Sequence, residues 1–201
     1  MNDKTIKEVI ESELKIYDRL FPFGFILLMS IFFVIVGWSK EISFFGVKLS
    51  LLNFAYIYCV AAPFYFAYID RVFDSIFGVI SLSKNKNDDL YYSITAKGLF
   101  NIYYSPTMRI PLNGTINKLL LFIVMFTSLS IMLSFIRETE LNKYILGILG
   151  LYLGKSHISI IRNIIRIDKY LLSTKDKVIP TTGISFTIAI IASIVMCFYL
   201  N

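Results

Sequence analysis

A chain of 201 residues of which 56% are hydrophobic is too apolar for a soluble domain of that length, where the apolar share is usually about 45–50%. Its 20 Lys and Arg against 14 Asp and Glu would suggest nucleic acid in a soluble protein. In a membrane protein the same surplus follows from retention of basic residues on the cytoplasmic side, so no direct nucleic-acid binding is expected. The two cysteines, Cys59 and Cys197, fall in apolar runs and imply neither a disulfide framework nor a metal site. The fold class is therefore all-α, a multispanning transmembrane helical bundle.

Residues 1–19 carry Ile6, Val9, Ile10, Leu14 and Tyr17 at helical spacing, which predicts an amphipathic N-terminal arm feeding into the first span. Such an arm lies on headgroups or packs on a partner, and its mixed charge disfavours a simple lipid-binding role. No small-residue cleavage site ends the apolar run after it, so the N-terminus is expected to be retained. Residues 20–69 hold two uncharged stretches, Leu20–Trp38 and Leu49–Ile69, each long enough at ~1.5 Å per residue to cross a ~30 Å hydrocarbon core. Trp38 and Lys40 mark an interface, and Glu41–Lys48 is a short connector in which Gly46 permits a tight turn. Pro63 predicts a kink in the second span. The aromatic residues around it, from Phe54 to Tyr68, are expected to serve packing rather than a ligand cage.

Over residues 70–118 the helix is predicted to run on past the membrane, with Phe73, Ile76, Phe77 and Ile80 opposed to Asp70, Arg71 and Asp74, until the polar run Ser83–Asp89. The stretch beyond that run is too aromatic for a disordered linker and too small for an enzyme domain. It reads as a cytoplasmic loop in which Tyr91, Tyr92, Tyr103 and Tyr104 dock a cytoplasmic protein. Asn113-Gly114-Thr115 fits a glycosylation acceptor, a triplet common by chance.

Residues 119–172 comprise a third span, Leu119–Ile136, a short apolar stretch, Leu141–Gly154, and a basic helix. Thr127, Ser130 and Ser134 share one face of the third span, a seam where helices approach closely. Gly147, Gly150 and Gly154 form a GxxxG pattern, expected to pack on a helix of the same subunit or across an oligomer, with a hinge as the rival reading. Lys155, Arg162, Arg166 and Lys169 make one basic stripe, suited to anionic headgroups or to anchoring the topology. The stretch as a whole thus predicts a short hydrophobic helix turning into an interface-hugging one. Residues 173–201 are a linker and a last uncharged span, Gly183–Leu200.

Counting basic residues between spans orients the chain. If Leu141–Gly154 crosses, there are five spans and one side collects 16 of the 20 Lys and Arg; if not, each side has ten. The asymmetric answer agrees with the orienting bias, giving five spans with the N-terminus cytoplasmic, against four spans plus a re-entrant helix. A stretch of 14 residues covers only about 21 Å, so the fourth span must draw on Lys155–Ile161 or sit in thinned lipid.

The four uncharged spans hold no Asp, Glu, Lys, Arg or His, which argues against proton-coupled transport and intramembrane hydrolysis. His157, the single histidine, lies beside the basic stripe and is expected to be interfacial. No phosphate loop, metal-ligand pair or nucleophile motif occurs, so no catalytic residue, metal, cofactor or enzyme activity is expected. With its length near 200 residues, several spans, an aromatic cytoplasmic loop and no catalytic set, the chain resembles the small membrane subunit of the Kiwa anti-phage defence system. The resemblance rests on overall organisation, and no residue is carried over. The family has four spans where the count here gives five. It implies a homo-oligomer in the bacterial inner membrane that senses envelope events and holds a DNA-binding effector on the cytoplasmic face. Two other classes fit the same composition: an immunity protein that meets a pore-forming bacteriocin inside the bilayer, and an oligomeric channel lined by Thr127, Ser130 and Ser134.

Overall fold

The computed structural model describes residues 3–35, 42–44, 47–82, 94, 112–138, 143–174, 182, 183 and 185–191. Four long helices dominate: α1 (Asp3–Ile35), α2 (Leu51–Leu82), α3 (Leu112–Glu138) and α4 (Lys143–Thr174). Residues 185–191 are helical as well. The fold is all-α apart from a small hairpin in the connector between α1 and α2. There β1 (Ile42–Phe44) pairs antiparallel with β2 (Val47–Leu49), Ile42 opposite Leu49 and Phe44 opposite Val47. The sequence predicts only a turn here. Aromatic and β-branched residues on both arms suit a pleated pair.

Two stretches, Thr115–Leu133 and Lys143–Tyr170, are long and apolar enough to cross a membrane. The helices α1, α2 and α4 have 33, 32 and 32 residues, about 48 Å each at ~1.5 Å per residue, well beyond a ~30 Å hydrocarbon core.

α2 is the central helix, with α1 on one side and α4 on the other. α1 runs antiparallel to it. The Tyr65 hydroxyl donates to Leu20 O at 3.1 Å, Tyr17 meets Phe73 at 5.3 Å between ring centroids, and Ser75 Oγ donates to Glu13 Oε1 at 2.9 Å. α4 runs parallel to α2, since Phe66 lies 4.6 Å from the His157 ring, Asp70 bonds Ser159, and Phe77 sits 5.1 Å under Arg166. Gly24 marks the closest approach of α1 to α2. A Cβ there would overlap Tyr65 Oη, so only a bare Cα admits the ring.

The core continues along the whole bundle. In the stretch of α1 before Leu20, Ile6, Ile10, Leu14 and Tyr17 are buried, at spacings of four, four and three; Phe73, Ile76 and Ile80 of α2 and Ile160, Ile164 and Ile167 of α4 belong to the same cluster. Each such aliphatic side chain contributes about 1.5–3 kcal/mol on full burial. The apolar face of the N-terminal arm is thus covered by the chain itself.

Several expectations change. α4 is one continuous helix, so the apolar stretch and the basic stripe belong to a single helix with no break at its three glycines. Each glycine costs a helix about 1 kcal/mol, and burial of Ile160, Ile164 and Ile167 holds the helix in line. α2 extends to Leu82, as its apolar periodicity predicts, whereas α3 starts at Leu112, ahead of the predicted third span. Asn113-Gly114-Thr115 therefore lies in the first turn of a helix. Of residues 83–111 only Ile94 is described, and it is buried in the core.

Candidate functional site

The most constrained polar cluster joins three segments distant in sequence. Lys118, in the second turn of α3, donates to Asp168 Oδ1 at 2.7 Å and to Oδ2 at 2.9 Å, and the Thr182 hydroxyl also donates to Oδ2. Ser185 Oγ donates to Thr115 O at 3.0 Å, tying the helix at 185–191 to the start of α3. The Lys118 and Asp168 side chains are only 5% and 10% exposed. At that depth the two charges depend on each other: a buried carboxylate or ammonium left alone carries a desolvation penalty of several kcal/mol. None of these residues is singled out by sequence reasoning. The available signal is solitude, for Asp168 is the lone acid between Lys155 and Lys175, and Lys118 the lone charge in residues 110–136.

The basic stripe is laid out as its spacing predicts, with Lys155, Arg162, Arg166 and Lys169 all exposed on α4. It borders α2 closely. The Arg166 guanidinium stacks over Phe77, a cation–π contact of about 0.5–1 kcal/mol at an exposed site. Lys155 and Arg162 act on the carboxylate of Asp70, which also has Ser159 as a hydrogen-bond partner. Burial pushes the Asp70 carboxyl above its ordinary value, against the pull of Ser159, Arg162 and Lys155 and with help from Asp74.

The glycine face of α4 is open. A Cβ on Gly147 or Gly154 would meet no atom within 4 Å, so no described helix of this subunit packs closely there. Around it Tyr144, Ile148 and Leu151 are 90%, 67% and 78% exposed. On α3, Thr127 donates to Ile123 O at 2.8 Å and Ser130 to Phe126 O at 3.0 Å, bonds within their own helix. The side chain of Ser134 lies outside the described residues. Ser128, one position away from the expected seam, reaches another helix. It makes a short, buried hydrogen bond to the Tyr58 hydroxyl and donates to Val124 O at 2.6 Å.

His157 is buried edge-on against Phe66, because the turn that carries Lys155 outward carries residue 157 toward α2. Among the described residues no group of three or more His, Cys, Asp or Glu is placed to hold a metal ion. The proposed docking residues Tyr91, Tyr92, Tyr103 and Tyr104 lie outside the described residues. Comparison with protein-family models, curated proteins and solved structures gives no match for this chain.

Proposed function

We propose that the chain is a non-enzymatic, oligomeric inner-membrane protein of five spans whose helices continue into the cytoplasm as a platform that holds and regulates a soluble effector. The observation that carries this reading is the core beyond the uncharged stretches: Ile6, Ile10 and Leu14, Ile76 and Ile80, and Ile164 and Ile167 are all buried. A protein that recognises a toxin inside the bilayer needs no such extension, whereas an anchor for a cytoplasmic partner does.

The Lys118–Asp168 pair supports the five-span count. Two bonded residues lie on the same side of the membrane. If Leu119–Ile136 crosses away from that side, the chain has to cross back before Asp168, and α4 is the helix that does so. The alternative with a re-entrant helix would put the two charges on opposite sides. With five spans the N-terminal arm, residues 70–118 and residues 155–177 share the cytoplasmic face, in keeping with the positive-inside bias. The glycine side of α4 at Gly147 and Gly154, to one flank of the line through Tyr144, Ile148 and Leu151, suits a second copy of the chain. Apart from its span count this organisation resembles that of the Kiwa membrane subunit, and anti-phage defence triggered by envelope perturbation is the role proposed.

The test is affinity purification of the tagged protein from its native host in mild detergent, with identification of whatever accompanies it. A stoichiometric soluble partner supports the anchor, and replacing Tyr91, Tyr92, Tyr103 and Tyr104 by Ser should release it while leaving insertion intact. Recovery of the protein alone, in a form that confers resistance to a pore-forming toxin or conducts ions in a planar bilayer, would overturn this reading.

A further inference from the structure

The basic stripe on α4 is too long to be one lipid contact. Lys155 and Lys169 are 14 residues apart in a continuous helix, about 21 Å at ~1.5 Å per residue. A headgroup layer is only ~5–8 Å thick on each side of the hydrocarbon core. Register with α2 shows which part of the stripe that layer can reach. Asp70 is the first charge after the uncharged stretch Leu49–Ile69, and the ring contacts on either side of it, Phe66 with His157 and Phe77 with Arg166, set it level with residues 159–161. Counted from Ser159, Lys155 lies one turn on the membrane side of that level, about 6 Å, and Arg162 about 4.5 Å on the other. Arg166 and Lys169 stand about 10 and 15 Å beyond it.

The exposed face of α4 has the matching apolar part. At 3.6 residues per turn, Tyr144, Ile148, Leu151, Lys155, Ile158 and Arg162 fall within an arc of about 80°. All are exposed. One line on the helix therefore passes from apolar side chains to two cations that no carboxylate meets at ion-pair distance among the described residues. A lysine at that depth extends its ammonium outward while its stem stays in apolar surroundings.

We propose that Lys155 and Arg162 hold the phosphate of one anionic glycerophospholipid whose acyl chain lies along Leu151 and Ile148, while Arg166 and Lys169 stand clear of the membrane. The inference rests on the five-span reading. The groups that oppose it are Asp70, which Lys155 and Arg162 also face, and Asp74 beside it; burial of Asp70 favours its neutral form and reduces that competition. Arg166 is already held against Phe77.

Native mass spectrometry of the full-length protein in mild detergent, with phosphatidylglycerol or phosphatidylcholine of identical chains added, tests the assignment. Phosphatidylglycerol should be retained at one per subunit and phosphatidylcholine should not. Lys155→Gln with Arg162→Gln should weaken retention about 30-fold, two charges at an anionic surface, and Arg166→Gln with Lys169→Gln should leave it unchanged. Equal losses in the two double variants, or equal retention of both lipids, would overturn the site. The topology is read separately. In a chain whose Cys59 and Cys197 are replaced by Ala, a cysteine at position 169 should resist an impermeant maleimide in intact spheroplasts and react after lysis. Labelling from outside would sink the five-span reading itself, whatever the lipid result.

Discussion

Lys118 reaches from the second turn of α3 to grip both carboxylate oxygens of Asp168 near the end of α4, at 2.7 and 2.9 Å. Thr182 completes the carboxylate's shell. Removing either ion leaves the other buried without its counter-charge, so Lys118→Met or Asp168→Leu alone should destabilise the protein by ~3–5 kcal/mol. The double variant should recover most of that loss, because an apolar pair of similar volume carries no desolvation cost. Denaturant unfolding in mild detergent provides the cycle. Additive losses in the double variant would mean that the two charges do not depend on each other.

Gly24 and Tyr65 form the closest contact between α1 and α2. A methyl group at position 24 would overlap Tyr65 Oη, Cζ and Cε1, and the ring cannot bend away as an aliphatic tip would. Gly24→Ala should therefore cost about 1–3 kcal/mol. The same substitution in a Tyr65→Ala background should cost markedly less, measured as a coupling in thermal unfolding. Equal costs in both backgrounds would show that the ring is not what the methyl meets.

The helical character of the chain, and which residues of the N-terminal arm are buried, were legible because both rest on periodicity within one segment. Ile6, Ile10, Leu14 and Tyr17 advertise a face whatever it packs against. The exposed basic residues of α4 were legible for the same reason. The continuity of α4 was not, since three glycines in eight residues argue locally for a break, and the burial of Ile160, Ile164 and Ile167 that overrides them is tertiary. Nor was the Lys118–Asp168 pair, whose members are 50 residues apart and carry no motif. The burial of His157 was not legible either. Two residues along a helix from an exposed lysine is a rotation of about 200°, enough to turn an exposed position into a buried one.

Ser128 joins α3 to α2 through the Tyr58 hydroxyl. Tyr58→Phe removes that bond but leaves Ser128 joined to Val124 O, so a loss of about 0.5–1.5 kcal/mol is expected. Thr127→Val removes only a bond to its own helix and keeps the side-chain shape. Its effect on unfolding in detergent should be smaller than that of Tyr58→Phe. The reverse order would place the packing seam back on the Thr127 face.

Asn163 is fully buried on α4, and neither its amide nitrogen nor its amide oxygen has a partner among the described residues. An unsatisfied buried polar group costs about 1–3 kcal/mol. Asn163→Leu, similar in length and apolar, should raise stability by about that amount. A destabilised variant, measured in the same detergent, would mean that the amide is satisfied by an internal water or by a group outside the described residues, and that the site is polar by design.

Asp70 gives the pH dependence a sign. Burial raises its carboxyl above the ordinary value, with Asp74 adding to the rise and Ser159, Arg162 and Lys155 opposing it. The folded protein therefore holds this proton more tightly than the unfolded chain does. Between the ordinary and the raised value the folded state binds more protons, so this residue's contribution to stability falls as pH rises through that window and returns as pH drops. Asp70→Asn cannot ionise and abolishes the slope. Other groups titrate alike in both chains and cancel in the difference. The variant should be the more stable of the two at pH 7, with the gap narrowing as the pH is lowered through the raised carboxyl value, tracked as denaturation midpoints. A gap that widens toward acid would show that Lys155 and Arg162 outweigh burial, and that the Asp70 carboxylate is instead kept charged by the α4 stripe.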